Sequence, residues 1–315
     1  MTIPHAVTRD AINAAYPIIA PHIRRTPVLT VSAANLGLDP NLSPIALKLE
    51  FLQYSGSFKA RGATYNLMTA PVPEAGVVAA SGGNHGAALA WAARRMNAKC
   101  KIFVFSFTPK AKIDRIKSFG AEVEPVDGGF DELMSATHAY AEKTGARLVH
   151  AYDEVGTLTG QGTCALEFME DCALDTLLVA VGGGGLIGGI AAYVAGHAKV
   201  VAVEPEAAPT LHMALEAGRP IAAPAGGIAA DSLGPAQVGN LMFPIAQSSV
   251  NASLLVPDSA IAEARQTLWD QARIVTEPGG ATALAALLSG AYAPAPGERV
   301  GVVLCGANTD AVSFG

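Results

Sequence analysis

The chain has 315 residues, half of them hydrophobic and only 15% charged, with 33 Gly and 20 Pro; this composition excludes a disordered tail, a coiled coil and a collagen-like repeat. Lys and Arg number 21 against 27 Asp and Glu, a formal net charge of −6. No broad basic face is therefore available for nucleic-acid phosphates or an anionic membrane, and a small-molecule partner is expected.

In chain order, residues 1–25 carry charges and prolines where a signal peptide needs an apolar core. The segment EFLQYSGSFKARGATYNLM (50–68) predicts a helix capped by Ser55 or Ser57, with Lys59 in its first turn. From Gly76 onward, short β-branched runs alternate with helical patterns, the signature of parallel βαβ units. Strands are expected at 76–80, 101–107, 121–126 and 147–150, with helices at 84–96, from Pro109 (capped by Thr108) to Gly120, and at 130–145. A second series has strands at 176–181 and 199–205, with a helix between them up to about Ala195. Helices at 258–273 and 279–290 and a buried strand at 299–306 complete it. Residues 218–243, rich in Gly, Pro and Ala, predict a long loop. Thr176 to Gly196 is uncharged and long enough to span a bilayer, but its run of four glycines reads as a loop between strand and helix. Cys100, Cys164, Cys172 and Cys305 lie far apart without a C-x-x-C pair. Neither a zinc site nor a disulfide framework is expected, and a reduced, cytoplasmic protein is.

Two segments carry chemistry. GGGGLIGG (182–189) lies between a predicted strand and helix, so its backbone N–H groups can converge on a phosphate. The same residues satisfy G-x-G-x-x-G at Gly183, Gly185 and Gly188, with Glu204 at the end of the next strand. A dinucleotide-binding oxidoreductase with Glu204 on a ribose therefore stays open beside a simpler phosphate ligand. Lys59 sits at the wrong end of the helix macrodipole with Arg61 nearby, and both effects favour the neutral, nucleophilic amine.

SGSFKARGA (55–63), SGGNHG (81–86), GGGGLIGG (182–189) and LCGANTD (304–310), in this order, resemble the fold type II pyridoxal-phosphate enzymes, most closely the serine/threonine dehydratase and serine racemase branch. The resemblance implies an α/β fold of two open parallel-sheet units, tryptophan synthase β-like. Residues 1–74 and 155–315 would form a large cofactor unit, and 75–154 a small unit carrying the substrate loop. It implies pyridoxal 5′-phosphate joined to Lys59 as a Schiff base, Phe58 beside the ring, and Gly182, Gly183, Gly184, Gly185 and Leu186 around the phosphate. Asn84 would bond the ring hydroxyl, and Ser81, Gly82, Gly83, Asn84 and His85 would grip the substrate carboxylate, His85 being structural rather than a base. Cys305 would face the pyridine nitrogen, with Glu277 near the ring.

The activity so implied is deamination of L-threonine or L-serine by a homodimer, with 3-hydroxyaspartate dehydration, β-replacement and serine racemisation as alternatives. Gly82 stands where racemases of the branch have a serine, and Thr210 where metal-binding relatives have an aspartate beside Glu204 and the Ala208 carbonyl. No metal site is therefore expected. The role of Tyr152 is left open, and the chain ends soon after Cys305, where no regulatory domain is expected.

Overall fold

The computed structural model describes residues 6–312; the outermost residues of the expected large unit, 1–5 and 313–315, lie outside them. Helix α1 (Arg9–Ile19) leads into the antiparallel strands β1 (Val28–Val31) and β2 (Ile45–Lys48), followed by α2 (Lys59–Thr69). An alternating series follows: β3 (Val77–Ala80), α3 (Asn84–Arg95), β4 (Cys100–Phe105), α4 (Lys110–Ser118), β5 (Glu122–Val126), α5 (Phe130–Thr144) and β6 (Arg147–Leu148). Beyond it come α6 (Val155–Asp171), β7 (Thr176–Ala180), α7 (Gly185–Val194), β8 (Lys199–Pro205) and α8 (Thr210–Ala217). The last elements are α9 (Ala230–Leu233), α10 (Phe243–Ser249), β9 (Ala252–Val256), α11 (Asp258–Ala272), α12 (Pro278–Leu288) and β10 (Val300–Val303).

The strands form two sheets, ordered β1-β2-β10-β7-β8-β9 and β5-β4-β3-β6. Every pair is parallel except β1 with β2, which is the expected α/β architecture. Helices cover the central strands, so β7 and β10 are buried along their whole length and read as unbroken apolar runs. Residues 176–196 resolve into β7, the glycine loop and α7, and among the described residues no helix is long and apolar enough to cross a membrane.

Parallel strands all point their carboxyl ends the same way, and the loops leaving those ends build ligand clefts. Here the loops after β3, β7 and β10 are Ser81–Gly83, Val181–Gly184 and Leu304–Asn308. Three local expectations need correction. Helix α2 is capped by neither Ser55 nor Ser57: Phe58 flanks it and contributes no side-chain cap, because the preceding turn is tied to the end of β10 instead. Thr108 does not cap α4, which starts at Lys110 after an extended Pro109; the Thr108 side chain turns towards Gly82. The loop at 218–243 also holds the short helix α9.

Candidate active site

The segment before α2 is fastened to the strand that ends at Cys305. Ser57 bridges Gly306, Phe58 N–H donates to the Cys305 carbonyl at 3.0 Å, and Ala307 N–H donates to that of Gly56 at 3.0 Å. This places Lys59, the first residue of α2, between the carboxyl ends of β10 and the smaller sheet. It is partly buried rather than in an exposed turn. Its Nζ donates to the Ala151 carbonyl at 2.6 Å and lies 5.2 Å from the Phe58 ring centroid. Burial lowers its pKa to about 8.

Arg61 has a different role from the one its sequence position suggests. It is fully buried and turned away, donating to both oxygens of Glu50 at 2.6 and 2.8 Å and to both of Glu167 at 2.7 and 2.9 Å. Lys48 donates to Glu167 at 3.0 Å and pairs with Asp171 at 3.6 Å, so Arg61, Lys48, Glu50 and Glu167 form a buried ionic network that Asp171 extends towards the surface. The lowered pKa of Lys59 thus follows from desolvation.

Tyr152, next to the acceptor of Lys59, lies against the glycine loop. A Cβ on Gly183 would come 2.4 Å from its ring, and its hydroxyl donates to the Gln237 carbonyl at 3.3 Å. Gly184 has φ +86°, a left-handed conformation that turns the chain into α7 and that side chains rarely adopt. Among the described residues no protein acceptor meets the N–H groups of Gly183, Gly184, Gly185 or Leu186, which face the loop at the positive end of α7.

Ser81, Gly82 and Gly83 lead into α3, whose first residues are Asn84 and His85. Asn84 Nδ2 donates to Glu277 Oε1 at 2.6 Å, and Asn84 Oδ1 accepts from Asn308. Glu277 is buried where it flanks α12, and burial raises its pKa to about 7. His85 Nε2 bonds the Val149 carbonyl at 2.9 Å; burial, and then the nearby Lys59 charge, lower its pKa to about 3, so it is a neutral tether of the turn. Cys305 is buried, its Sγ donates to the Gly279 carbonyl at 3.4 Å, and burial raises its pKa, which keeps it a thiol.

Glu204 stands apart. Both of its oxygens are occupied inside the fold, by the N–H groups of Leu211 and His212 at 2.7 and 2.8 Å and by the hydroxyls of Thr210 and Ser253 at 3.0 and 3.3 Å. It caps α8 and has no lone pair facing a ribose, so the dinucleotide reading fails at its acidic residue. Sequence reasoning also left Asn308, Lys112, Arg115 and Asp231 unassigned, although they line one cavity with Gly82, Asn84 and Glu277. Asn308 lies inside the LCGANTD segment and could have been singled out; the other three carry no local signal.

Residues 19–306 match the family model described as pyridoxal-phosphate dependent enzyme. A phenylserine dehydratase from Ralstonia pickettii is 36% identical over 276 residues, covering 86% of this chain and 84% of its own. Maize serine racemase superposes with a TM-score of 0.91 at 31% identity, over 98% of this chain and 95% of its own. The threonine deaminase of T.th. gives 0.89 at 34% identity, over 97% and 100% of the two chains. The site fits such a cofactor: N–H groups at the start of α7 that meet no acceptor among the described residues suit a phosphate, and a desolvated amine with no carboxylate partner among them suits an aldehyde.

Proposed function

Because the chain belongs to the fold type II pyridoxal-phosphate enzymes of the serine/threonine dehydratase and serine racemase family, we propose that it is a lyase deaminating a β-hydroxy amino acid. L-Threonine and L-serine are its simplest substrates, and the products are a 2-oxo acid and ammonia. The observation that carries this reading is the Lys59 amine, desolvated and held by a single carbonyl beside the glycine loop. Bound pyridoxal phosphate supplies the electron sink for the bond broken at Cα.

In this reading the backbone of Gly182, Gly183, Gly184, Gly185 and Leu186 holds the phosphate, and Phe58 lies beside the ring. The turn from Ser81 through Gly82, Gly83 and Asn84 holds the substrate carboxylate on the free N–H groups that start α3. His85 keeps that turn in place from behind through Val149. Asn84 has one amide hydrogen left after serving Glu277, and the ring hydroxyl is its proposed acceptor. Cys305, held as a thiol, offers the ring nitrogen a neutral partner. Lys59, being neutral for part of its population near pH 8, takes the Cα proton. The unit spanning 75–154 is proposed to carry the carboxylate turn, and the remainder the cofactor.

Elimination is favoured over racemisation by Gly82. Racemisation needs proton donors on both faces of Cα, Lys59 serves one, and glycine offers none on the other. With L-serine as substrate, D-serine is expected at less than about a tenth of the pyruvate rate; chiral chromatography of the remaining serine checks it, and D-serine appearing as fast as pyruvate overturns it. A hydroxyl cannot simply be added at this position. A Cβ there would lie 2.8 Å from Thr108 Cγ2, so the Gly82→Ser and Thr108→Ala pair, rather than Gly82→Ser alone, is the variant expected to raise the racemised share.

A further inference from the structure

The cavity beside the carboxylate turn is lined both by Asn84, at the start of α3, and by Arg115 on α4, two features that suit anions. The N–H group of Asn84, and those of His85 and Gly86 that follow it in the first turn of α3, lack a protein acceptor among the described residues. Arg115 on α4 lines the same cavity, and its Nη2 donates to the Ser55 carbonyl at 3.2 Å. Among the described residues this is the one of its five guanidinium N–H donors that is used, and no carboxylate there pairs with it.

The neighbouring charges are accounted for. Lys112, one helical turn earlier on α4, is ion-paired to Asp231. Glu277 is held by Asn84 and by burial has lost much of its charge near neutral pH. Among the described residues Arg115 is thus the cation of the cavity with no carboxylate in salt-bridge contact, Glu277 acting on it only from farther off, and its planar fork has a geometry that matches a carboxylate.

We propose that Arg115 is a specificity-determining residue that receives a second carboxylate, on the β-carbon of the substrate, while the start of α3 holds the first. The substrate class is then a β-hydroxy amino dicarboxylic acid such as 3-hydroxyaspartate, which differs from threonine by a carboxylate in place of a methyl group. This rests on the lyase reading above and deepens it.

Two unreactive four-carbon acids separate the proposal from its parent. Calorimetric titration of the cofactor-loaded protein is expected to show succinate binding about tenfold or more tighter than butyrate, with Arg115→Gln reducing the ratio below about threefold. In turnover, the ratio of kcat/KM for 3-hydroxyaspartate over threonine is expected to fall by a similar factor in the same variant. Equal binding of the two acids by the wild type, or equal weakening of both in Arg115→Gln, overturns the proposal; the second result would make Arg115 a clasp between α4 and Ser55. Because neither acid reacts, these readings hold even if the lyase assignment fails, and that failure would appear separately as absent turnover of every β-hydroxy amino acid.

Discussion

Lys59→Ala is expected to lower kcat for dehydration of threonine and serine by more than about 10³-fold while leaving the fold in place. Among the described residues the side chain makes one hydrogen bond, to the Ala151 carbonyl, worth about 1 kcal/mol net. Against that loss, alanine is the better helix former and no longer requires an amine to be desolvated. The unfolding free energy should therefore change by no more than about 1.5 kcal/mol. Steady-state kinetics together with urea denaturation separate the two effects. Retained turnover would remove Lys59 from the chemistry, and a large stability loss would make it a structural residue.

Two residues further along the same helix the expectation reverses. Arg61→Ala should destabilise the protein by about 3–5 kcal/mol, because it leaves Glu50 and Glu167 facing each other, fully buried and without their shared cation. Lys48 remains on Glu167 but does not reach Glu50, so one carboxylate must take up a proton or rearrange. Urea denaturation at neutral pH measures the loss. A change below about 1 kcal/mol would show that the network relaxes around the gap. The network joins the end of β2, the first turn of α2 and helix α6, so activity should also suffer through displacement of Lys59.

These two residues also mark how far the sequence could be read. Lys59 was legible because a cation at a helix start needs a reason, and because four ordered motifs supplied one. Arg61 was misread as a second charge acting on Lys59, since its partners lie 11 and 106 residues away and no local pattern announces them. The alternating strands and helices from Val77 onward were legible through their periodicity. Strands β1 and β2 were not, being four residues each. Helix α6 escaped because Gly156, Gly160 and Gly162 lower helix propensity. In the fold they permit contact instead: a Cβ on Gly160 would fall 2.6 Å from the Cα of Gly62 on α2. The glycine loop was legible as an anion site, but the capping bonds of Glu204, which argue against a dinucleotide, depend on a helix that the loop's own sequence does not announce.

The central claim, that Lys59 is the residue joined to the cofactor, is tested most directly by reducing the purified protein with borohydride in the presence of pyridoxal phosphate and mapping its peptides. The pyridoxyl label is expected on Lys59, with loss of the visible absorbance of the untreated protein. Label on another lysine, or a colourless protein that takes up none, would contradict the account.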